Sequence, residues 1–211
     1  MKNQMLLWIV LLSFSNLITA QTQYEKQGGN FSLGVRTVTS AFGHGNLKEL
    51  GYGMGGQFRI QVADRVNTEW YTDIITTKID KNVHRTDYHI GWSVMYYIID
   101  PHAFKRIVTP FAEAGHCFDW TQLKILGTEV QSRTKFSTAV HAGLGTHFNI
   151  TPRFDLSLKA QYMWHLGKEL HAELNEGRWE IEEEKNPGWQ GHLLISLTAN
   201  YKLARLWKPK K

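Results

Sequence analysis

The run from Trp189 to Leu203 alternates between two chemically different sets. One is Trp189, Gly191, Leu193, Ile195, Leu197, Ala199, Tyr201 and Leu203; the other is Gln190, His192, Leu194, Ser196, Thr198, Asn200 and Lys202. A period of two puts them on opposite sides of a β-strand. The run is much longer than the about five or six residues usual in soluble sheets. A strand crossing a bilayer needs roughly 9–11 residues, with aromatics at the interfaces. The pattern therefore predicts a membrane-spanning strand.

The N-terminus fits export. Lys2, the apolar stretch Met5–Phe14 and Ile18-Thr19-Ala20 have the layout of a cleaved signal peptide, with an apolar run too short to span as a helix. This divides the 211 residues into a signal peptide (1–20), a short periplasmic leader (21–29), a barrel domain (30–203) and a basic tail (204–211). The lone Cys117 excludes an intramolecular disulfide framework. A net charge of +5, with no basic helix or stripe, gives no sign of nucleic-acid binding. Gly 18, Trp 8, Tyr 8 and Phe 10 suit a β-rich, aromatic chain.

The alternation recurs along the chain. Phe31, Leu33 and Val35 oppose Ser32, Gly34 and Arg36; Tyr52, Met54, Phe58 and Ile60 oppose Gly53, Gly55, Gln57 and Arg59. Trp70 and Ile74 oppose Glu69, Tyr71 and Asp73, and Asp80–Asp87 reads as a charged loop. Tyr88, Ile90, Trp92, Val94 and Tyr96 oppose His89, Gly91 and Ser93. Val108–Trp120 is the least regular strand, with Phe111, Glu113 and Asp119 sharing a face. Phe136, Val140 and Leu144 oppose Lys135, Ser137 and His141; Leu156, Leu158 and Tyr162 oppose Asp155, Ser157 and Lys159. Ala63-Asp64-Arg65 and Thr151-Pro152-Arg153 read as tight turns, and Gly167–Gly188 as the longest loop. About eight strands with no helix predict an all-β, antiparallel up-and-down transmembrane barrel, with tight turns in the periplasm and long loops outside.

A soluble calyx would show the same alternation inverted. Glycine and serine beside Arg36, Arg59, Glu69, Asp73, Glu113, Asp119, Lys135 and Lys159 suit a narrow lumen in which charges pair. Large aromatics near strand ends suit lipid-facing girdles.

The signal ending in Ala-Gln, the long alternating strands and Pro110-Phe111-Ala112-Glu113-Ala114-Gly115 resemble the small outer-membrane β-barrels of Bacteroidetes, akin to the OmpX and OmpA barrels of the porin family. The resemblance covers the whole mature chain and implies an outer-membrane barrel rather than a particular activity.

Three functions remain open at this stage. The first is a filled barrel with a structural or surface-interaction role, a monomer in contact with outer-membrane lipid and lipopolysaccharide. The second is a narrow ion or solute channel, for which the lumen charges are the lining; about eight strands favour a plugged interior. The third is a lipid A-modifying enzyme. Ser137 and His141 share a face but lie about 13 Å apart along a strand, and no Gly-x-Ser-x-Gly is present, so neither catalytic residues nor a cofactor are expected. His89, His141, His147, His165 and His192 fall on the polar face of different strands, so no metal site is expected. The long loop, with Glu173, Glu176, Arg178, Trp179, Glu180, Glu182, Glu183 and Glu184, is the candidate interaction site for an external ligand or for cations bridging lipid phosphates.

Overall fold

The computed structural model describes residues 28–42, 49–99, 107–126, 131–168, 170–175, 177–183 and 191–208. The expected signal peptide, most of the leader, and the loops around Gly45 and Gly127 lie outside the described residues. Among the described residues ten strands are present: β1 Asn30–Phe42, β2 Glu49–Gln61, β3 Val66–Asp80, β4 Val83–Tyr97, β5 Val108–Ile125, β6 Gln131–Asn149, β7 Phe154–Leu166, β8 Leu170–Asn175, β9 Arg178–Glu183 and β10 Gly191–Arg205. Eight of them close into an antiparallel barrel in the order β1-β10-β7-β6-β5-β4-β3-β2, and β8 with β9 forms a separate hairpin.

Alternation decides which way each residue points. Along β10, Leu193, Ile195, Leu197 and Tyr201 are exposed on the outside, whereas His192, Leu194, Ser196, Thr198 and Asn200 are buried within. The same division holds on β4, with Tyr88, Ile90, Trp92, Val94 and Tyr96 outside and Asp87, His89, Ser93 and Met95 inside. The irregular β5 turns Phe111, Glu113, Cys117 and Asp119 inward. An outer wall of leucine, isoleucine, valine and aromatic residues is far larger than the apolar patches a water-soluble surface carries, and it matches a hydrocarbon surround.

Both predicted tight turns form. Val62 and Ala63 amides reach the Val66 carbonyl, and Ile150 and Thr151 amides reach that of Phe154, whose own amide donates to Thr151 Oγ1. At the same end Gly29, at φ +91°, ties the leader to both neighbours: its amide donates to Gln61 O and its carbonyl accepts from Leu206 N. A Cβ there would run into the Trp207 carbonyl.

Several boundaries differ from the sequence reading; β5, for one, runs to Ile125 and not Trp120. Asp80–Asp87 is not a loop: β3 and β4 run on and turn at Lys81-Asn82. Its charges suggested solvent, yet Val83, Arg85 and Asp87 continue the inward phase of His89 and are buried. Gly167–Gly188 holds the β8–β9 hairpin, and β10 includes Ala204 and Arg205, which pair with Phe31 and Asn30 instead of opening the tail.

Candidate functional site

The interior is stratified. Nearest the termini, Arg59 on β2 places Nη2 2.6 and 2.7 Å from the two Asp155 carboxylate oxygens, and Nη1 about the His147 ring at 3.1 Å. Asn200 Nδ2 donates to Asp155, and Gln57 Nε2 donates to Asn200 Oδ1 at 2.7 Å. Phe111 lies against His147 with ring centroids 4.5 Å apart.

The next layer is one connected ionic cluster. Lys159 Nζ donates to Glu69 at 2.6 Å and to Glu113 at 3.1 Å. Arg36 reaches the same Glu69 oxygen at 3.3 Å and Asp73 at 3.1 Å. The Arg36 guanidinium lies over the Tyr71 ring at 4.3 Å, and Tyr71 Oη is 3.3 Å from His141 Nε2. These side chains are all buried, so each charge is offset by a partner and not by bulk water. Glycines on adjacent strands make the room. A Cβ on Gly91 would lie 2.5 Å from the Tyr71 ring, and one on Gly115 would lie 2.7 Å from His141 Nε2.

Above this cluster lies an apolar septum. Val38, Ile75, Cys117, Ala139, Met163 and Leu194, with Tyr71 beneath, come from β1, β3, β5, β6, β7 and β10 and are buried together. Beyond it, His192 Nδ1 is 3.1 Å from His165 Nε2, His165 Nδ1 is 3.3 Å from Asp119, and Asp119 is 3.5 Å from His89 Nε2. His89 also stacks on His192 with ring centroids 6.1 Å apart, so the three imidazoles and Asp119 form one compact group. Higher still, Arg85 Nε and Thr121 Oγ1 both donate to Asp87. Val83, Leu123 and Ile125 are buried at the hairpin end.

Of the eight expected lumen charges, Arg36, Glu69, Asp73, Glu113 and Lys159 are thus brought together. Arg59 stands in the layer below and Asp119 in the layer above. Lys135 leaves the lumen: it projects at the rim and binds Glu183 on the hairpin at 2.5 Å, with Arg133 at 3.3 Å from the same carboxylate. It is the cross-strand partner of Thr121 in the uppermost polar layer, where the inward phase meets the hairpin. Asp155, Arg85, Asp87 and Tyr71 join the interior beyond the eight expected charges, and Arg85 and Asp87 share the two-residue phase of His89.

The hairpin is amphipathic. Leu170, Ala172, Leu174, Trp179, Ile181 and Glu183 pair along one face, and His171, Glu173, Asn175, Arg178, Glu180 and Glu182 along the other. The first face docks on the rim: Leu170 is buried, Trp179 Nε1 donates to Asp80 Oδ2 at 3.1 Å, and Glu183 takes the Lys135 contact. That hydrogen bond from Lys135 lowers the Glu183 carboxyl below its usual range. The second face presents Glu173, Arg178 and Glu180 to solvent. Among the described residues it also holds the one trio, His171, Glu173 and Glu182, whose ligand atoms lie within 4.8 Å of one another. Glu176 and Glu184 lie outside the described residues.

This architecture is that of the small eight-stranded outer-membrane β-barrels. Neisserial surface protein A is similar with a TM-score of 0.57 and 15% identity, over 82% of this chain and 97% of that one. A major outer membrane protein from Thermus thermophilus gives 0.56 and 10% over 82% and 99%, and OprG from Pseudomonas aeruginosa gives 0.51 and 12% over 85% and 98%. No family model matches the sequence, and no curated protein does.

Proposed function

We propose that the protein is a monomeric, closed outer-membrane barrel that acts at the outer surface through the β8–β9 hairpin, not by conduction or catalysis. The observation that carries this reading is the interior itself: ionic layers cross-linked between strands, interrupted by the Val38–Ile75–Cys117–Met163–Leu194 septum. An ion crossing the septum would shed water without gaining polar partners. Among the described residues, the exposed acidic face of the hairpin is free to meet another molecule. Its carboxylates suit divalent cations bridging lipopolysaccharide phosphates, or a basic external partner.

The test is fractionation followed by proteolysis. The protein should enter the outer membrane, change mobility on boiling in SDS, and be cut by trypsin on intact cells at the exposed Arg178 while the barrel persists. Deleting residues 170–183 should spare insertion. Recovery in the soluble periplasm, or Arg178 cut only after the envelope is opened, counts against the proposal.

A further inference from the structure

A row of basic residues on the outer wall is left unused by the hairpin and the lumen. Lys78 on β3 is the cross-strand partner of His84 on β4, and His84 is the partner of Lys124 on β5. Their neighbours Thr77, Val83, Arg85, Leu123 and Ile125 are buried inside, so alternation turns all three outward. Such partners have Cβ atoms about 5 Å apart, so two ammonium groups flank an imidazole, and their N–H donors can converge on one anion. The nearby carboxylate, Asp80, accepts a hydrogen bond from the Trp179 indole of the hairpin.

Two further rows lie below, each in unbroken register. The first is Thr76–Thr86–Gln122–Thr134 and the second is Ile74–Tyr88–Trp120–Phe136. Each step down is about 7 Å along the strands. An open groove of about 420 Å³ joins the two rows, lined by Tyr88, Ile90, Trp120, Gln122 and Thr134. The wall therefore offers two lysines and an imidazole, then hydrogen-bonding groups, then an aromatic groove. A phosphorylated lipid presents phosphate, polar linkage and acyl chain in that order.

We propose that this face binds a phosphorylated lipid of the leaflet around it, with phosphate on Lys78, His84 and Lys124 and an acyl chain in the Trp120 groove. The proposal rests on the reading that the hairpin end stands in the outer leaflet. Lysines at such a surface each strengthen anionic-lipid binding about five-fold.

The folded mature chain, in nanodiscs of phosphatidylcholine doped with bisphosphorylated lipid A, is stripped of loosely held lipid and weighed by native mass spectrometry. The Lys78→Gln/His84→Gln/Lys124→Gln variant should hold lipid A roughly 10- to 30-fold more weakly. Dephosphorylated lipid A should bind wild type as weakly as lipid A binds that variant. Arg153→Gln, at the opposite end, should change nothing, and Trp120→Ala should weaken both lipids. Equal retention by wild type and the triple variant, with both showing the heat-dependent mobility shift, overturns the lipid site alone. Displacement of lipid A by millimolar inorganic phosphate also overturns it, because the site would then read phosphate without the chain. A wild-type chain that never inserts into the nanodisc overturns the membrane reading as well.

Discussion

Replacing Lys159 by methionine separates a filled lumen from a watery one. Methionine keeps most of the side-chain volume, so cavity formation contributes little and the change is chiefly one of charge. Lys159 Nζ holds Glu69 at 2.6 Å and Glu113 at 3.1 Å, and all three side chains are at most 3% exposed. Removing the cation leaves two buried carboxylates facing each other, with only Arg36 beside Glu69. Breaking a buried pair in this way costs about 3–5 kcal/mol, whereas an exposed pair contributes about 0–1 kcal/mol. Urea titration of the folded barrel in lipid vesicles, read by the mobility shift on unheated gels, measures the difference. Neutralising the partners as well, in Lys159→Met/Glu69→Gln/Glu113→Gln, should recover most of the loss, because neutral isosteres escape the desolvation of unpaired charge. A loss below about 1 kcal/mol for Lys159→Met would mean that water screens the cluster, and the filled-lumen argument would fail.

Other outcomes follow from the same contacts. Gly91→Ala puts a methyl 2.5 Å from the Tyr71 ring and should cost about 1–3 kcal/mol in the same titration, largely regained with Tyr71→Leu. Cys117 is fully buried, so maleimide should leave it unmodified in the folded barrel and label it after boiling. Glu183 has a lowered folded pKa through its hydrogen bond from Lys135, so its contribution to hairpin docking is present above the ordinary carboxylate range. It is lost as pH falls through the lowered value. Mobility of a spin label attached at Arg178→Cys should therefore rise in acid, and Glu183→Gln should remove that pH dependence. Trp179→Phe deletes the bond to Asp80 and should loosen the hairpin by about 1 kcal/mol, seen as faster trypsin cutting at Arg178 at neutral pH.

The barrel was legible because the period of two persists through nearly every strand and the two faces differ so much. Even β5, where Glu113 and Asp119 share a face with Phe111, kept its phase. The sequence misleads where charge and phase disagree. Asp80–Asp87 looked like solvent because it is charged, although Arg85 and Asp87 stand four and two residues from the inward His89. Lys135 has inward phase but stands in the uppermost layer, where that phase meets the hairpin, and alternation fixes a face without fixing a height. The ionic layers depend on register between strands distant in sequence, such as Lys159 on β7 with Glu69 on β3, and the period of one strand carries no information about that. The β8–β9 hairpin was hidden by its glutamates, which alternate with Trp179 and Ile181 in a run too short to stand out.

Single-channel recording from the purified, folded barrel in a planar bilayer addresses the closed interior most directly. The septum and the paired charges beneath it predict a flat trace, with no discrete steps after insertion has been verified by protease protection. Reproducible unitary steps would contradict the account and show an aqueous path where the structure places Met163, Leu194 and Ile75.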